Sequence, residues 1–380
     1  MRVLYWGTYD TSKPRTRILL EGLRRAGVDV AECRADIWHG VVDKSQIRGL
    51  RKRLGIASRW LFAYPRLAWQ LARAPRPDVI LIGFPGLIDM LVAAPIVRMR
   101  GIPLAWDMFM SVYDTVVEDR RLLRHGGLPA RLLHALEGFT LRRADLVFLD
   151  TQAHARRIET LFGLPPGSAG AVWVGVETEH FPSEPGDFSP ELTATGKPPL
   201  RVLFYGQFIP LHGIETIVQA ARLTRDEPIE WQLIGMGQEA ARIEALLAEQ
   251  PLPRLHWDTW VDYAQLHRRI SSADICLGIF GTSEKAASVI PNKVFQIVAM
   301  GRPLITRDSP AMRELLADEP PCVSLVRPAD PLALADAVRD FSRQTRTAQP
   351  CHGVVRSCLG AEAIGQQCKT LLKTHFGLES

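Results

Sequence analysis

Short apolar runs alternate with helix-period segments along almost the whole chain, and that alternation admits few folds. Val3–Trp6, Val28–Cys33, Val79–Ile82, Leu104–Trp106, Leu146–Leu149 and Ala171–Val174 read as strands. Between them lie helical patterns such as Arg17–Arg25, Leu87–Met99, Ala130–Leu141 and Ala153–Leu161. Strands joined by helices predict parallel sheets, because a parallel neighbour is reached only through a crossover. The rotation breaks once, at a polar stretch rich in Pro and Gly. It then resumes with Arg201–Phe204, Ile229–Ile234, Ile275–Ile279, Leu304–Thr306 and Val323–Val326. The expected architecture is α/β, with two doubly wound, Rossmann-like domains facing a cleft. Their bounds are 1–182 and 200–345, with a linker at 183–199. Residues 346–380 form a tail and a final helix, Ala361–Thr374, that packs back toward the first domain.

A chain of 380 residues has room for two full cores. No apolar run is long enough to span a bilayer, and Met1–Gly7 reads as a strand entering a turn rather than a leader. The six cysteines form no CxxC pair, and Cys276 and Cys322 fall within apolar runs. They read as core thiols in a reducing, cytoplasmic setting. The net charge of +5 is uneven: Lys44–Pro77 holds nine basic residues and no acid. Trp60, Phe62 and Trp69 interleave with its arginines. Such a segment suits the anionic inner face of a membrane, or an anionic acceptor. No nucleic-acid-binding module accompanies it.

The densest chemistry lies in Phe280–Thr306, FGTSEKAASVIPNKVFQIVAMGRPLIT. A polar loop with Lys285 follows an apolar run, Pro291 sits at an expected first helical position, and Val294, Ile297 and Val298 keep helical spacing. Gly301 stops the helix. A helix N-terminus with Lys285 and Lys293 beside it is an anion site, and a diphosphate is the natural guest. Asn292, Lys293 and Gln296 share one helix face. Gly206 and Gly213 flank a loop that opens another helix, and glycine lets backbone approach a phosphate. Gly235-Met-Gly-Gln-Glu-Ala240 has the form of a dinucleotide fingerprint. It follows the second strand of its domain, however, so Gly235 and Gly237 read better as lining for a nucleotide site than as evidence for an oxidoreductase.

With both domains placed, the chain resembles the GT-B glycosyltransferases, specifically family four, the retaining group-one enzymes. The likeness rests on Tyr205-Gly-Gln-Phe-Ile-Pro-Leu-His-Gly, Leu233-Ile-Gly-Met-Gly, Trp257-Asp-Thr-Trp-Val with Ser272–Phe280, and Pro291-Asn-Lys-Val-Phe-Gln. It implies a nucleoside-diphosphate-sugar donor held by Gly206, Gln207, Gly213, Gly235, Gly237, Lys285, Ser288, Asn292, Lys293 and Gln296. The nucleobase would lie against Trp260 and Val261. The family usually carries Arg and Lys at the positions of Gln207 and His212, and two glutamates at those of Ser288 and Gln296. Donor binding then leans on Lys285, Lys293, helix dipoles and a protonated His212.

The resemblance also places the acceptor in the first domain, near Gly7, Thr8, Arg15, Arg17 and Asp114. Asp107, at a strand's C-terminal end, orients the acceptor hydroxyl. Asp107, Lys293 and His212 are the catalytic candidates. His154 is the further histidine near that strand end, and Thr151 a candidate helix cap. No metal or other cofactor is expected, because no DxD motif with matching carboxylates is present. The implied reaction moves a sugar, with retention, to a hydroxyl acceptor in polysaccharide or glycolipid synthesis. Alternatives are an epimerase of the same fold, which needs no acceptor, and a non-catalytic nucleotide-sugar-binding subunit.

Overall fold

The computed structural model describes residues 1–37, 50–182, 198–316, 322–343 and 351–378. Most of the linker at 183–199, the start of the basic segment at 44–49 and the tail at 346–350 lie outside them. The chain forms two compact units. One comprises 1–115, 123–174 and 361–380; the other comprises 116–122 and 175–360.

The first unit runs β1 (Arg2–Gly7), α1 (Pro14–Arg25), β2 (Asp29–Arg34), α2 (Leu50–Arg73), β3 (Val79–Ile82), α3 (Leu87–Arg100), β4 (Leu104–Phe109), α4 (Leu128–Leu141), β5 (Leu146–Leu149), α5 (Gln152–Phe162) and β6 (Ala169–Ala171). Its strands form a parallel sheet of order β2-β1-β3-β4-β5-β6. All four residues of β3, Val-Ile-Leu-Ile, are buried, as expected of a strand covered on both faces. Thr151 caps α5 through its side chain, which accepts from the His154 N–H at 2.9 Å. The strand expected at Ala171–Val174 instead ends at Ala171. The carbonyls of Val172 and Trp173 bond Arg15 Nη1, at 2.6 and 2.8 Å, in place of a strand neighbour.

The second unit runs β7 (Leu200–Tyr205), α6 (Ile214–Leu223), β8 (Ile229–Ile234), α7 (Ala240–Glu249), β9 (Leu255–Asp258), α8 (Tyr263–Ser272), β10 (Ile275–Leu277), α9 (Glu284–Ser288), α10 (Asn292–Ala299), β11 (Leu304–Arg307), α11 (Pro310–Leu316), β12 (Val323–Val326), α12 (Pro331–Arg343) and α13 (Gly353–Arg356). Its parallel sheet has the order β12-β11-β10-β7-β8-β9. β10 is shorter than the apolar run suggested. Past Leu277 the Gly278 N–H still bonds the Ile305 carbonyl at 2.9 Å, but the Ile279 N–H goes to Thr306 Oγ1 at 3.2 Å. Phe204, Phe208, Ile217, Trp231 and Leu277 anchor the core.

The final helix, α14 (Ala361–Phe376), belongs to the first unit and packs on α1. The two helices meet at Gly22 and Gly365. A Cβ on Gly22 would stand 2.0 Å from the Ala361 carbonyl oxygen, and one on Gly365 would stand 1.9 Å from Gly22 backbone. Ile364, Cys368 and Leu372 thereby enter the core of Leu19, Leu23 and Phe148.

Three expectations need correction. Residues 116–122 and 175–182 group with the second unit rather than the first, and of the tail expected to pack toward the first domain only the final helix does so, while 351–360 stays with the second unit. Cys322 is not a core thiol: it forms a disulfide with Cys351, because the returning tail runs beside β11 and places the two Cα atoms 5.7 Å apart. Pro291 is the cap residue of α10 rather than its first helical residue.

Candidate functional site

In the second unit the chain turns at the C-terminal end of β7 on Gly206, whose φ of +139° lies outside ordinary L-residue space. A Cβ there would stand 2.9 Å from the Lys293 Nζ and 3.2 Å from the His212 Cε1. Gly206, His212 and Lys293 are thus one cluster, built from a β7 loop, a 3-10 turn (Pro210–His212) and the first turn of α10. Gly235, after β8, packs against the Gly206 carbonyl, where a Cβ would come within 1.9 Å. Gly213 follows the 3-10 turn against Phe280 backbone, and Gly237 backs onto Phe208 backbone.

Lys293 is the unusual member. Its side chain is buried, and its ammonium lies 3.7 Å from the centroid of the Phe204 ring with no hydrogen-bond partner among the described residues. A cation over an aromatic face recovers only part of the hydration it loses. Burial accordingly pushes the lysine well below its ordinary pKa. Pro291 offers no side-chain cap to α10, and the Val294 N–H bonds the Pro291 carbonyl at 2.9 Å.

One turn further, Gln296 is also buried. The Tyr205 hydroxyl lies 3.0 Å from its Oε1 and 3.2 Å from the Lys293 carbonyl oxygen. Tyr205 therefore occupies the acceptor end of the amide and leaves the donor end. His212 is not protonated as expected. Burial, then the Lys293 charge, push its pKa well below the usual value against the pull of the Gln207 carbonyl. With its Nδ1–H donated to that carbonyl, Nε2 is an acceptor.

The other expected donor residues are placed less decisively. Ser288 Oγ donates to the Lys285 carbonyl at 3.0 Å, within α9, and Lys285 is buried on the same short helix. Asn292, half-buried, opens α10. Trp260 is 74% exposed and Val261 half-buried, in the loop after β9. Trp257 stacks on Phe208 at 5.0 Å and donates to the Gly235 carbonyl at 2.8 Å, so it supports the glycine loop. A surface cavity lined by Arg201, Glu230, His256 and Arg269 includes none of the clustered residues.

Sequence reasoning missed Arg120. It belongs to the second unit through residues 116–122, its Nη2 lies 3.4 Å from Gln207 Oε1, and its charge helps to depress His212. The Gln238 amide holds its carbonyl at 3.0 Å, and Ser283 Oγ donates to the adjacent Asp119 at 3.1 Å. No periodicity signals this placement, because it depends on which unit a seven-residue excursion joins. The sequence reads Phe204 only as a strand residue and Tyr205 only as the start of the Tyr205–Gly213 glycine-loop motif.

In the first unit, Asp107 does not stand free to orient a hydroxyl. It is fully buried and bonded to Arg15, with Nη2 at 2.8 Å and Nε at 3.2–3.3 Å. Arg15 is equally buried between the Phe109 and Phe148 rings, so it is no acceptor-facing cation. Burial opposes its charge, but the Asp107 carboxylate outweighs this and holds its pKa above the usual value. Asp114 is buried and bonded to Arg157 at 2.6 Å. Buried His154 bonds Asp150 through Nδ1 at 2.6 Å, leaving Nε2 without a partner among the described residues.

Gly7 and Thr8 meet Asp89, another residue the sequence did not single out. Its oxygens accept from the Thr8 N–H at 3.0–3.1 Å, the Thr8 hydroxyl at 3.1 Å and the Tyr64 hydroxyl at 3.0 Å. Burial, against those bonds, raises its pKa to about 6. Arg17 is spent locally on the carbonyls of Thr11 and Ser12.

Two units, each a parallel sheet with helices on both faces, one carrying a glycine-loop cluster at its strand ends, define the GT-B class of glycosyltransferase. The glycosyl transferases group 1 model matches residues 199–344, and the glycosyl transferase 4-like domain model matches 12–172. The chain belongs to this group 1 family. It is 27% identical over 284 residues to the probable glycosyltransferase WbjE of Pseudomonas aeruginosa, covering 71% of this chain and 67% of that protein. Among solved structures, sucrose-phosphate synthase from Thermosynechococcus elongatus superposes with a TM-score of 0.70 at 17% identity, over 99% of both chains. HepE from Anabaena, solved with UDP, gives 0.66 at 13% identity over 98% of this chain and all of the other. HepE has also been solved with UDP-glucose.

Proposed function

We propose that the Gly206–His212–Lys293 cluster binds the diphosphate of a nucleotide sugar, and that the protein moves the sugar to a hydroxyl acceptor with retention and without a metal. One observation carries the reading: a buried lysine with no hydrogen-bond partner among the described residues, aimed at a glycine turn that any side chain would block. A buried ammonium left unpaired is costly, and a bound dianion supplies the missing partner. The α10 first-turn N–H groups and the Arg120 guanidinium add to the field. The UDP and UDP-glucose found with HepE support a uridine diphosphate donor.

In this reaction the bond from the anomeric carbon to the diphosphate oxygen breaks, and a bond to the acceptor oxygen forms on the same face. Negative charge grows on the leaving diphosphate, where Lys293 stabilises it more than in the ground state. The acceptor proton passes to a donor phosphate oxygen, so no protein nucleophile is needed. Gln296 presents an N–H donor to a donor hydroxyl, where the family's carboxylate would accept. The acceptor belongs to polysaccharide or glycolipid synthesis, and the basic segment Lys44–Pro77 keeps the enzyme at the inner membrane face.

A thermal-shift screen against UDP, GDP and their sugars tests the donor assignment, since a ligand that binds only the folded state raises the melting temperature. A clear shift with one nucleoside diphosphate is expected, with product formed from its sugar. No shift with any of them contradicts the assignment. A new sugar formed without acceptor would instead make the protein an epimerase.

A further inference from the structure

We infer that the outward faces of α2, α3 and α4 form one docking surface for an anionic lipid bilayer. The connections β2-α2-β3, β3-α3-β4 and β4-α4-β5 all step the same way across the sheet, so right-handed crossovers put these helices on one face. α2 packs on α3, and α3 on α4.

On α4 the apolar stripe points outward. Leu128, Leu132, Leu136 and Phe139 fall on one helical face, and the first two are 70% and 61% exposed. A surface helix ordinarily turns such a stripe to the core. Here the buried side carries Glu137, which accepts from Ser111 Oγ and the N–H groups of Val112 and Tyr113 at 2.8–2.9 Å. α2 repeats the pattern with Leu61 and Phe62, 71% and 77% exposed, and α3 adds Met99 at 88%.

The charges on these faces share one sign. Arg59, Arg66, Arg73, Arg98 and Arg131 are exposed, whereas the described acids of the three helices, Asp89 and Glu137, are buried. Arg73 lies over the Trp69 ring at 4.7 Å and Arg143 over Phe139 at 4.3 Å. Aromatic rings paired with guanidinium groups suit the boundary between headgroups and acyl chains. α1 and α14, on the opposite face, carry the ordinary mixture, with exposed Glu21 and Glu362 among their basic residues. Among the described residues no helix is long and apolar enough to cross a membrane, so the surface lies on the bilayer. The inference extends the contact proposed for Lys44–Pro77 to helices beyond it, and it needs no donor.

Co-sedimentation of the full chain with vesicles tests it. Binding is expected to equimolar phosphatidylcholine and phosphatidylglycerol, not to phosphatidylcholine alone, and to weaken in high salt. Leu132→Glu with Phe139→Glu, and separately Leu61→Glu with Phe62→Glu, should each lower the partition coefficient by about tenfold or more. The UDP-induced melting shift of the same variants should equal that of the parent chain, which reports folding. Indifference to phosphatidylglycerol, or unchanged binding by the α4 pair, overturns the surface. So does a dimer in light scattering that Leu132→Glu dissolves, since a second copy then covers the face. Vesicle binding without any UDP shift would sink the donor reading alone.

Discussion

The two units bury charge in opposite ways. In the first, buried polar groups are matched by named partners: Arg15 pairs with Asp107 and Asp114 with Arg157, Asp150 bonds His154, and Asp89 and Glu137 accept from hydroxyl and backbone donors. Such contacts hold strands and helices in register; Arg15 ties α1 to β4 and to the residues after β6. In the second, Lys293 is buried over an aromatic ring with no hydrogen-bond partner among the described residues, next to a histidine whose own pKa burial and the lysine charge push down. The contrast separates charges that stabilise the fold from one that folding leaves unsatisfied. The unsatisfied one points to a ligand.

The largest effect expected is on stability, in the first unit. Asp107→Ala strands the Arg15 guanidinium in the core and should cost about 3–5 kcal/mol, read as a lowered denaturant midpoint. A small loss there would erase the contrast. Next comes Lys293→Met, which should cut turnover by about a hundredfold or more while leaving the ligand-free protein as stable as before, or more so.

A third test uses protons. Because burial lowers the Lys293 pKa, the folded state binds fewer protons than the unfolded one between that lowered value and the ordinary lysine value. Stability from this group therefore rises with pH across that window and is penalised below it. A bound diphosphate reverses the shift, so UDP binding should take up a fraction of a proton, at most about one. Titration calorimetry in buffers of different ionisation enthalpy reads this directly, and Lys293→Met should abolish it. The smallest effect belongs to Arg120→Ala, expected to raise the donor KM by about tenfold with stability unchanged, as for one exposed charge-assisted bond.

Much of this was legible in the residue order. The Val-Ile-Leu-Ile run of β3 admits one reading, and Pro291-Asn-Lys-Val-Phe-Gln marks a helix start with a cation in its first turn. Gly206, Gly235 and Lys293 were legible as donor-site candidates because backbone geometry and charge type are local properties. What escaped notice depends on tertiary partners. Asp107 looked reactive at a strand end, yet Arg15, 92 residues away, consumes it. His212 looked like a replacement cation until its burial beside Lys293 set its charge. Arg120 and the Cys322–Cys351 bond were invisible because each depends on where a connecting segment runs, which hydropathy does not encode.

One measurement bears most directly on the claim that Lys293 awaits a diphosphate: calorimetric melting of the parent chain and of Lys293→Met, each with and without saturating UDP. The parent is expected to melt higher with UDP. The variant should show no such rise and should melt, ligand-free, at or above the parent temperature. A variant that keeps the UDP shift, or that loses stability without ligand as Asp107→Ala does, would show that the lysine serves the fold and not a nucleotide.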